Sequence, residues 1–337
     1  MSRSSRPRSL SGIQPTAESF HFGNYFGAIR QWVGLQEDHE AFYFIADLHA
    51  LTVQPEPAVL RERIHASAAQ LLAAGVDPQR SALFCQSHVT EHTQLAWVFN
   101  CLTGYGEAGR MTQFKDKSAR AGAEKASVGL FTYPILQAAD ILLYNPQHVP
   151  VGEDQRQHLE LSRNLAQRFN HHYGETFVLP EPHIVKDTAK IADLQEPTAK
   201  MSKSSSAPNG VVDMLDDPKR AMKKIRSAVT DSGSVIEYDP QEKPGVSNLL
   251  TIFSAITGES VPALVERFEG QQYGHLKVAL GDAVAELVTD FGARTREYLD
   301  DRAELDRVLA AGAERAREVA APLLSDVYEK VGLVRAL

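Results

Sequence analysis

Ala41-Phe42-Tyr43-Phe44-Ile45-Ala46 is an unbroken apolar run, the signature of a strand buried on both faces of a sheet. Beyond it, 59–74 carries apolar residues at helical spacing and is closed by Gly75 and Asp77-Pro78. Ala82-Leu83-Phe84-Cys85 is then a second short strand pattern. Strand, helix, strand is the order that a parallel sheet requires, since parallel neighbours need a crossover connection. On the other side, Ser11-Gly12-Ile13-Gln14-Pro15-Thr16 and His21-Phe22-Gly23-Asn24 lead into a helical pattern at 25–35. A strand, a polar turn and a helix start are what a doubly wound sheet presents at its ligand crevice. The first half is therefore predicted to be α/β, a Rossmann-like doubly wound parallel sheet.

After residue 200 no strand pattern appears, and helices are expected to begin at Asp217-Pro218, at Val261-Pro262 and near Lys277. Asp217 suits an N-cap and Pro218 the first helical position, where a missing N–H costs nothing. An all-helical domain is thus inserted in or appended to the sheet. A long amphipathic pattern covers 303–331, with breaks expected at Pro322 and Gly332.

Composition narrows the functions open to the chain. With 337 residues and 43% hydrophobic content, it can bury one large core or two modest ones, and two domains are expected. Its longest apolar stretches, such as 41–46 and 284–288, fall far short of the roughly 20 residues of a membrane span. A soluble, unexported protein is expected. The formal net charge of -8 argues against non-specific coating of nucleic acid, which depends on summed phosphate neutralisation. Cys85 and Cys101 match neither a metal knuckle nor a redox pair, and both read as core thiols of a reducing compartment. The acid-free start, with Arg3, Arg6 and Arg8, reads as a disordered tail over 1–9.

Four features carry chemistry or imitate it. In His21-Phe22-Gly23-Asn24, Gly23 lets a ring or phosphate approach the backbone and Asn24 is suited to cap the helix that follows. Taken alone, the tetrapeptide is better explained as an ordinary capped helix, since Gly-Asn before a helix is common. Lys200-Met201-Ser202-Lys203-Ser204 puts two cations in a segment without apolar periodicity, suited to negative charge building on a departing pyrophosphate. A solvated Lys/Ser linker is the plainer reading of that loop taken alone. His88 and His92 share one helical face but lack a third ligand and the glutamate of a zinc protease, and read as surface histidines. Lys219, Arg220, Lys223, Lys224 and Arg226 form a basic run on a helix, either solvated or facing nucleic-acid phosphates.

Taken together, the His21 tetrapeptide and the Lys200 loop resemble the two signatures of class I aminoacyl-tRNA synthetases. Asn24 stands where the general class pattern ends in His, as is usual in the tryptophan branch. Three further stretches resemble that branch: Tyr133-Pro134-Ile135-Leu136-Gln137-Ala138-Ala139-Asp140-Ile141-Leu142, Val149-Pro150-Val151-Gly152-Glu153-Asp154-Gln155 and Ser227-Ala228-Val229-Thr230-Asp231-Ser232. The resemblance covers nearly the whole chain. It implies activation of L-tryptophan by ATP and transfer to tRNA(Trp), in a cytoplasmic homodimer with no membrane association. The tyrosyl branch is the nearest alternative.

The same resemblance assigns residues. Asp140 would accept the indole N–H, a group that only donates. Leu10, Ile141, Val149 and Val151 would wall the ring, while Tyr133, Gln155 and His49 would meet the amino and carboxylate groups, with Gln137 near the ammonium. ATP would be held by Gln14, Pro15, Thr16, Gly23, Asn24, Gly152, Glu153, Asp154 and Ile191, and by Lys200, Met201, Ser202, Lys203 and Ser204. Lys117, Lys200 and Lys203 would act as the catalytic cations. Mg²⁺ would arrive on ATP, with no metal held by the protein. The implied divisions are a catalytic domain at 10–196, a helical anticodon-binding domain at 197–305 and a C-terminal helix at 306–337 that packs back on the catalytic domain.

Overall fold

The computed structural model describes residues 6–111, 127–150, 155–183, 190–202 and 207–334. Among them, β1 (Arg8–Ile13), β2 (Glu40–Ile45), β3 (Ser81–Cys85), β4 (His148–Pro150) and β5 (Glu181–His183) form one sheet in the order β3-β2-β1-β4-β5. Every pairing is parallel. The chain steps outward from β1 to β3, returns across the sheet and continues on the other side. The switch point therefore lies between β1 and β4, where such sheets open a crevice at the strand carboxyl ends.

Register explains why β2 is buried and free of charge at every position from Ala41 to Ile45. Leu10 pairs with Phe42 and Phe42 with Ala82, while Gly12 pairs with Phe44 and Phe44 with Phe84. Strand side chains alternate between faces, so Tyr43, Ile45, Leu83 and Cys85 enter one buried cluster and Leu10, Phe42, Phe44, Ala82 and Phe84 the other. The two cores are the two sides of the sheet, not one per domain. Ile225, Leu249, Phe253, Leu280 and Phe291 of the helical half join Phe26, Ile29 and Trp32 in the first cluster. Each fully buried Leu or Phe stabilises by about 1.5–3 kcal/mol, so the shared cluster ties the helical half firmly to the sheet.

The expected helix over 59–74 is Pro57–Ala73, with Pro at its first position. Asp217 caps Pro218–Arg226 by accepting the Arg220 N–H at 3.0 Å. Val261–Arg267 and Tyr273–Asp300 follow. The Pro244–Thr257 helix was not anticipated, although its signals are in the sequence: Pro244 at the start and Gly258 at the end with φ +78°.

Arg302–Lys330 is one continuous helix across Pro322. Buried Ala320 and Leu324 on either side of Pro322 anchor both halves on the second cluster, which outweighs the roughly 3 kcal/mol that an interior proline costs. The same helix covers the exposed edge of β3. A Cβ on Gly312 would stand 1.9 Å from the Leu83 carbonyl oxygen, so helix and strand backbones touch there. Arg315 donates to the Pro78 and Ser81 carbonyls at 2.8 and 3.0 Å. An unprotected edge strand invites pairing with another chain, and this contact closes it.

Several expectations are corrected. Arg8 and Ser9, placed in the tail, belong to β1, and Arg8 binds Glu40 at 2.9 Å and the Tyr144 carbonyl at 3.2 Å. Cys101 is exposed; only Cys85 is a core thiol, and burial pushes its pKa up. Lys224, in the basic run, is buried against Asp216 at 2.6 Å. The division at 196/197 falls within a turn spanning Ile191 to Met201, and that at 305/306 within the Arg302–Lys330 helix.

Candidate active site

A cleft of about 320 Å³ opens at the switch point. β1 and the turn after it contribute Leu10, Ser11, Gly12 and Gln14. Phe44, Ala46 and His49 come from the end of β2, Ala28 and Trp32 from the helix after the first turn, and Val149 and Gln155 from beyond the crossover. Gly12 is required here, because a Cβ would lie 2.5–2.9 Å from three Phe44 ring atoms. The ring thus packs over the strand and walls the cleft.

The Val128–Leu142 helix supplies the closed end. Ser127 caps it by accepting the Leu130 N–H at 3.1 Å. Tyr133, Gln137, Asp140 and Ile141 stand at i, i+4, i+7 and i+8, one face of a helix, and the last three line the cleft. Tyr133 lies beside it, its ring edge-to-face with His49 at 6.3 Å. Its hydroxyl is 3.3 Å from His158 Nε2, and burial pushes the phenol pKa up to about 12. Gln137 donates to the Gln155 carbonyl oxygen at 3.2 Å.

Asp140 is 1% exposed, and an unpaired carboxylate at such a place would be untenable. His49 Nε2 donates to its Oδ2 at 2.7 Å, while His92 Nδ1 and Gln86 Nε2 donate to Oδ1 at 2.7 and 2.8 Å. Burial opposes the charge, but the electrostatic pull and hydrogen bond of His49, then those of His92, outweigh it and hold the pKa down to about 2. The site therefore presents an ionised acceptor in the cleft.

His92 corrects the sequence reading, since it is fully buried rather than on the surface. The missed signal was periodicity: 92, 95, 96 and 99 follow i, i+3, i+4 and i+7, and Leu95, Ala96 and Phe99 are all buried. Gln86, Tyr144 and the cleft residues Ser11, Gly12, Ala28, Trp32, Phe44 and Ala46 were likewise not anticipated. They carry no motif of their own.

The second half of the site lies at the first helix. His21, not Asn24, is the N-cap of Phe22–Asn24, and Asn24 Oδ1 reaches back to the His21 N–H at 3.3 Å. A π-helical turn follows over Tyr25–Ile29, a feature often found at functional sites. Thr16 N–H donates to the Gln14 carbonyl at 2.9 Å in a tight turn that buries Pro15 and exposes Gln14 and Thr16.

The Lys200 loop is anchored, not free, at its base. Ala192 bridges Lys200 in antiparallel fashion, and Met201 N–H donates to the Ile191 carbonyl at 3.2 Å. Asp193 Oδ1 accepts from Gln195 and Glu196 N–H at 2.6 and 3.0 Å, closing the turn. Asn248 of the helical half pairs with both backbone groups of Ala192, at 2.9 and 3.0 Å. Ile191 and Met201 are buried in the core, whereas Lys200 is exposed. A Cβ on Gly23 would meet the Met201 carbonyl at 3.4 Å, so the structure brings the two motifs of the sequence together. Lys117, Val151, Gly152, Glu153, Asp154, Lys203 and Ser204 lie outside the described residues. Among the described residues, no group of three or more His, Cys, Asp or Glu side chains is placed to hold a metal, and no single helix is long and apolar enough to cross a membrane.

A doubly wound parallel sheet whose switch-point cleft adjoins a helix amino end and an anchored lysine loop defines a class I nucleotide-dependent activating fold. The profile of tRNA synthetases class I (W and Y) matches residues 2–289, and the chain belongs to that family. It is 62% identical to the tryptophan–tRNA ligase 2 of Streptomyces avermitilis, over 99% of each chain. Among solved structures, it is similar to the tryptophanyl-tRNA synthetase of Mycoplasma pneumoniae, with TM-score 0.87 and 38% identity over 98% of each chain. The Campylobacter jejuni tryptophanyl-tRNA synthetase, solved with ADP and tryptophan, gives TM-score 0.84 and 37% identity over 97% of this chain and 100% of that one.

Proposed function

We propose that the cleft binds L-tryptophan and that the chain is a tryptophan–tRNA ligase, joining tryptophan to ATP as an adenylate and then passing it to tRNA(Trp). One observation carries the choice of amino acid: the buried, ionised Asp140 in a cleft that Leu10, Phe44, Ile141 and Val149 also line. Indole N–H is a donor with no acceptor capacity, and a carboxylate accepts without donating. Apolar fit alone discriminates by about 1–3 kcal/mol, whereas a hydrogen-bonding site rejects an analogue lacking the polar handle by roughly 10⁴-fold or more.

His49 extends the site toward the other end of the substrate. Its Nε2–H is committed to Asp140, so in the neutral ring Nδ1 is an acceptor, and that atom is buried without a partner among the described residues. An ammonium supplies the missing donor. Tyr133 and Gln155 sit beside it, and Leu10, Ile141 and Val149 enclose the ring.

The first step needs no general base, because the tryptophan carboxylate is already ionised when it attacks the α-phosphate in line. Its oxygen forms a bond to phosphorus as the bond to the bridging oxygen breaks, and pyrophosphate leaves with the electron pair. Catalysis then resides in alignment and in cations that neutralise the leaving group. The exposure of Lys200 at the anchored base of its loop supports that role, and Lys117, Lys203 and the turn Gly152-Glu153-Asp154 are assigned to the same end by the motifs they belong to. ATP enters with Mg²⁺ bound to its phosphates. A ribose hydroxyl at the 3′ end of tRNA then attacks the adenylate carbonyl, releasing AMP. We place the activity in cytoplasmic protein synthesis, in a homodimer, with a catalytic part near 10–196, an anticodon-binding helical part near 197–305 and the C-terminal helix returning to the sheet.

Pyrophosphate exchange with tryptophan and with tyrosine tests this reading. Exchange with tryptophan alone, lost in Asp140→Asn, is the expected result. Exchange with tyrosine at comparable efficiency would overturn it.

A further inference from the structure

Asp140 is held from behind by a chain that the proposed chemistry does not use. A carboxylate offers about four acceptor positions. His92 Nδ1 and Gln86 Nε2 take two on Oδ1, and His49 Nε2 takes one on Oδ2. The remaining position is on Oδ2. His92 itself does not line the cleft: it is fully buried, and its other nitrogen, Nε2, lies 2.9 Å from the hydroxyl of fully buried Tyr144.

Proton counting gives this chain a direction. The Asp140 carboxylate cannot donate, so His92 must carry its proton on Nδ1. In the neutral ring Nε2 is then an acceptor, and the Tyr144 hydroxyl is the donor. Tyr144 is itself fixed by packing, with its ring 4.8 Å from that of Phe42 and 5.5 Å from that of His92. Burial pushes its phenol pKa well above the usual value, so it stays protonated. The Asp140 carboxylate sets the His92 tautomer, and the Tyr144 hydroxyl, donating to Nε2, holds the ring in the place from which Nδ1–H restrains Asp140.

We propose that His92 is a positioning residue for amino-acid selection: through the Tyr144–His92–Asp140 chain it aims the open lone pair of Asp140 Oδ2 at the indole N–H. The proposal rests on the tryptophan reading and deepens it. Without the His92 bond, Oδ1 loses one of its two restraints. The carboxylate can then rotate, and the hydrogen bond that distinguishes indole from an isosteric ring weakens, while the walls of the cleft stay in place.

The test compares L-tryptophan with 3-benzothienyl-L-alanine, in which sulfur replaces the ring N–H, in pyrophosphate exchange by the full chain. His92→Leu is expected to reduce the tryptophan preference in kcat/KM by about 10- to 100-fold, with kcat/KM for the sulfur analogue changed less than about 3-fold and KM for ATP unchanged. His92→Asn, whose amide N–H can occupy the place of Nδ1–H, is expected to restore the preference to within about 3-fold of the parent. Tyr144→Phe, which keeps the ring but loses the hydroxyl that holds His92 Nε2, is expected to lie between. An equal loss on both substrates in His92→Leu, or an unchanged preference, would overturn the proposal. If His92→Leu does not fold, an unchanged preference in Tyr144→Phe has the same force. Asp140→Asn separates the two layers: a parental preference there sinks the tryptophan reading itself, whereas a lost preference there together with an intact one in the His92 and Tyr144 variants sinks only the role of His92.

Discussion

The carbonyl oxygen of Met201 lies 3.4 Å from the point that a Cβ on Gly23 would occupy, and the His21 ring lies 2.9 Å from the same point. A methyl group there would touch the Met201 carbonyl at ordinary contact distance but would crowd the His21 ring. Gly23→Ala must therefore displace the His21 ring at the start of the first helix, beside the loop. We expect adenylate formation to slow by about 10- to 100-fold, since small misplacements of reacting groups cost rates of that order. Tryptophan affinity should change less than about 3-fold. Stopped-flow and equilibrium binding would check both, and parental rates in Gly23→Ala would refute the coupling.

Lys200 is exposed on an anchored base, so its removal should spare the fold. Lys200→Ala is expected to lower kcat for pyrophosphate exchange by about 10²- to 10³-fold, the usual loss for one group that stabilises developing charge. KM for tryptophan should stay within about 3-fold. A proportional rise in that KM would instead assign Lys200 to ground-state binding.

Asp140 links the site to acid stability. Its pKa is about 2 in the folded chain against an ordinary 3.8. A depressed carboxyl pKa gives stability that is complete above the unfolded value and is lost as pH falls through the folded one. The contribution, on the order of 2 kcal/mol, should therefore fade between about pH 4 and pH 2. Urea denaturation of the parent and of Asp140→Asn from pH 6 downward should show a stability gap that is constant to about pH 4.5 and narrows below it. A gap that widened with acid would contradict the ionised state.

Gly312 seals the sheet edge against Leu83. Gly312→Ala forces two backbones apart, a change of the overpacking kind that destabilises by about 3 kcal/mol. Chemical denaturation would measure it, and a second expected outcome is association through the uncovered β3 edge, visible by light scattering. A fully stable, unassociated variant would show that the helix does not need this close approach.

Neighbouring lysines on the Pro218–Arg226 helix should behave oppositely. Lys224 is buried on Asp216, and Lys224→Glu is expected to cost about 3–5 kcal/mol, as breaking a buried pair does. Exposed Lys223 should tolerate reversal within about 0.5 kcal/mol. If the exposed face of this helix meets tRNA phosphates, Lys223→Glu will reduce the salt slope of tRNA binding by about 1; an unchanged slope removes this face from the tRNA surface.

The parallel strands, the capped Pro218–Arg226 helix and the two motif segments were legible because each depends on neighbours within a few residues: an apolar run, an Asp before Pro, a Gly at a turn. The residues that orient Asp140 were not legible. His49, Gln86 and His92 stand 91, 54 and 48 positions away from it, and no local pattern links them. His92 was read from its tetrad partner His88 when its position on the buried stripe with Leu95, Ala96 and Phe99 was the better guide.

By itself, the sequence determined the kind of sheet, several helix starts and the family, and it singled out Asp140, since periodicity, caps and motifs are properties of adjacent residues. Tertiary structure alone decided which lysine of the basic run is buried, that one helix closes the β3 edge, that both halves share a core, and which groups hold Asp140. These depend on which faces meet across the fold, where burial converts an ordinary histidine or lysine into a partner that a buried charge cannot do without.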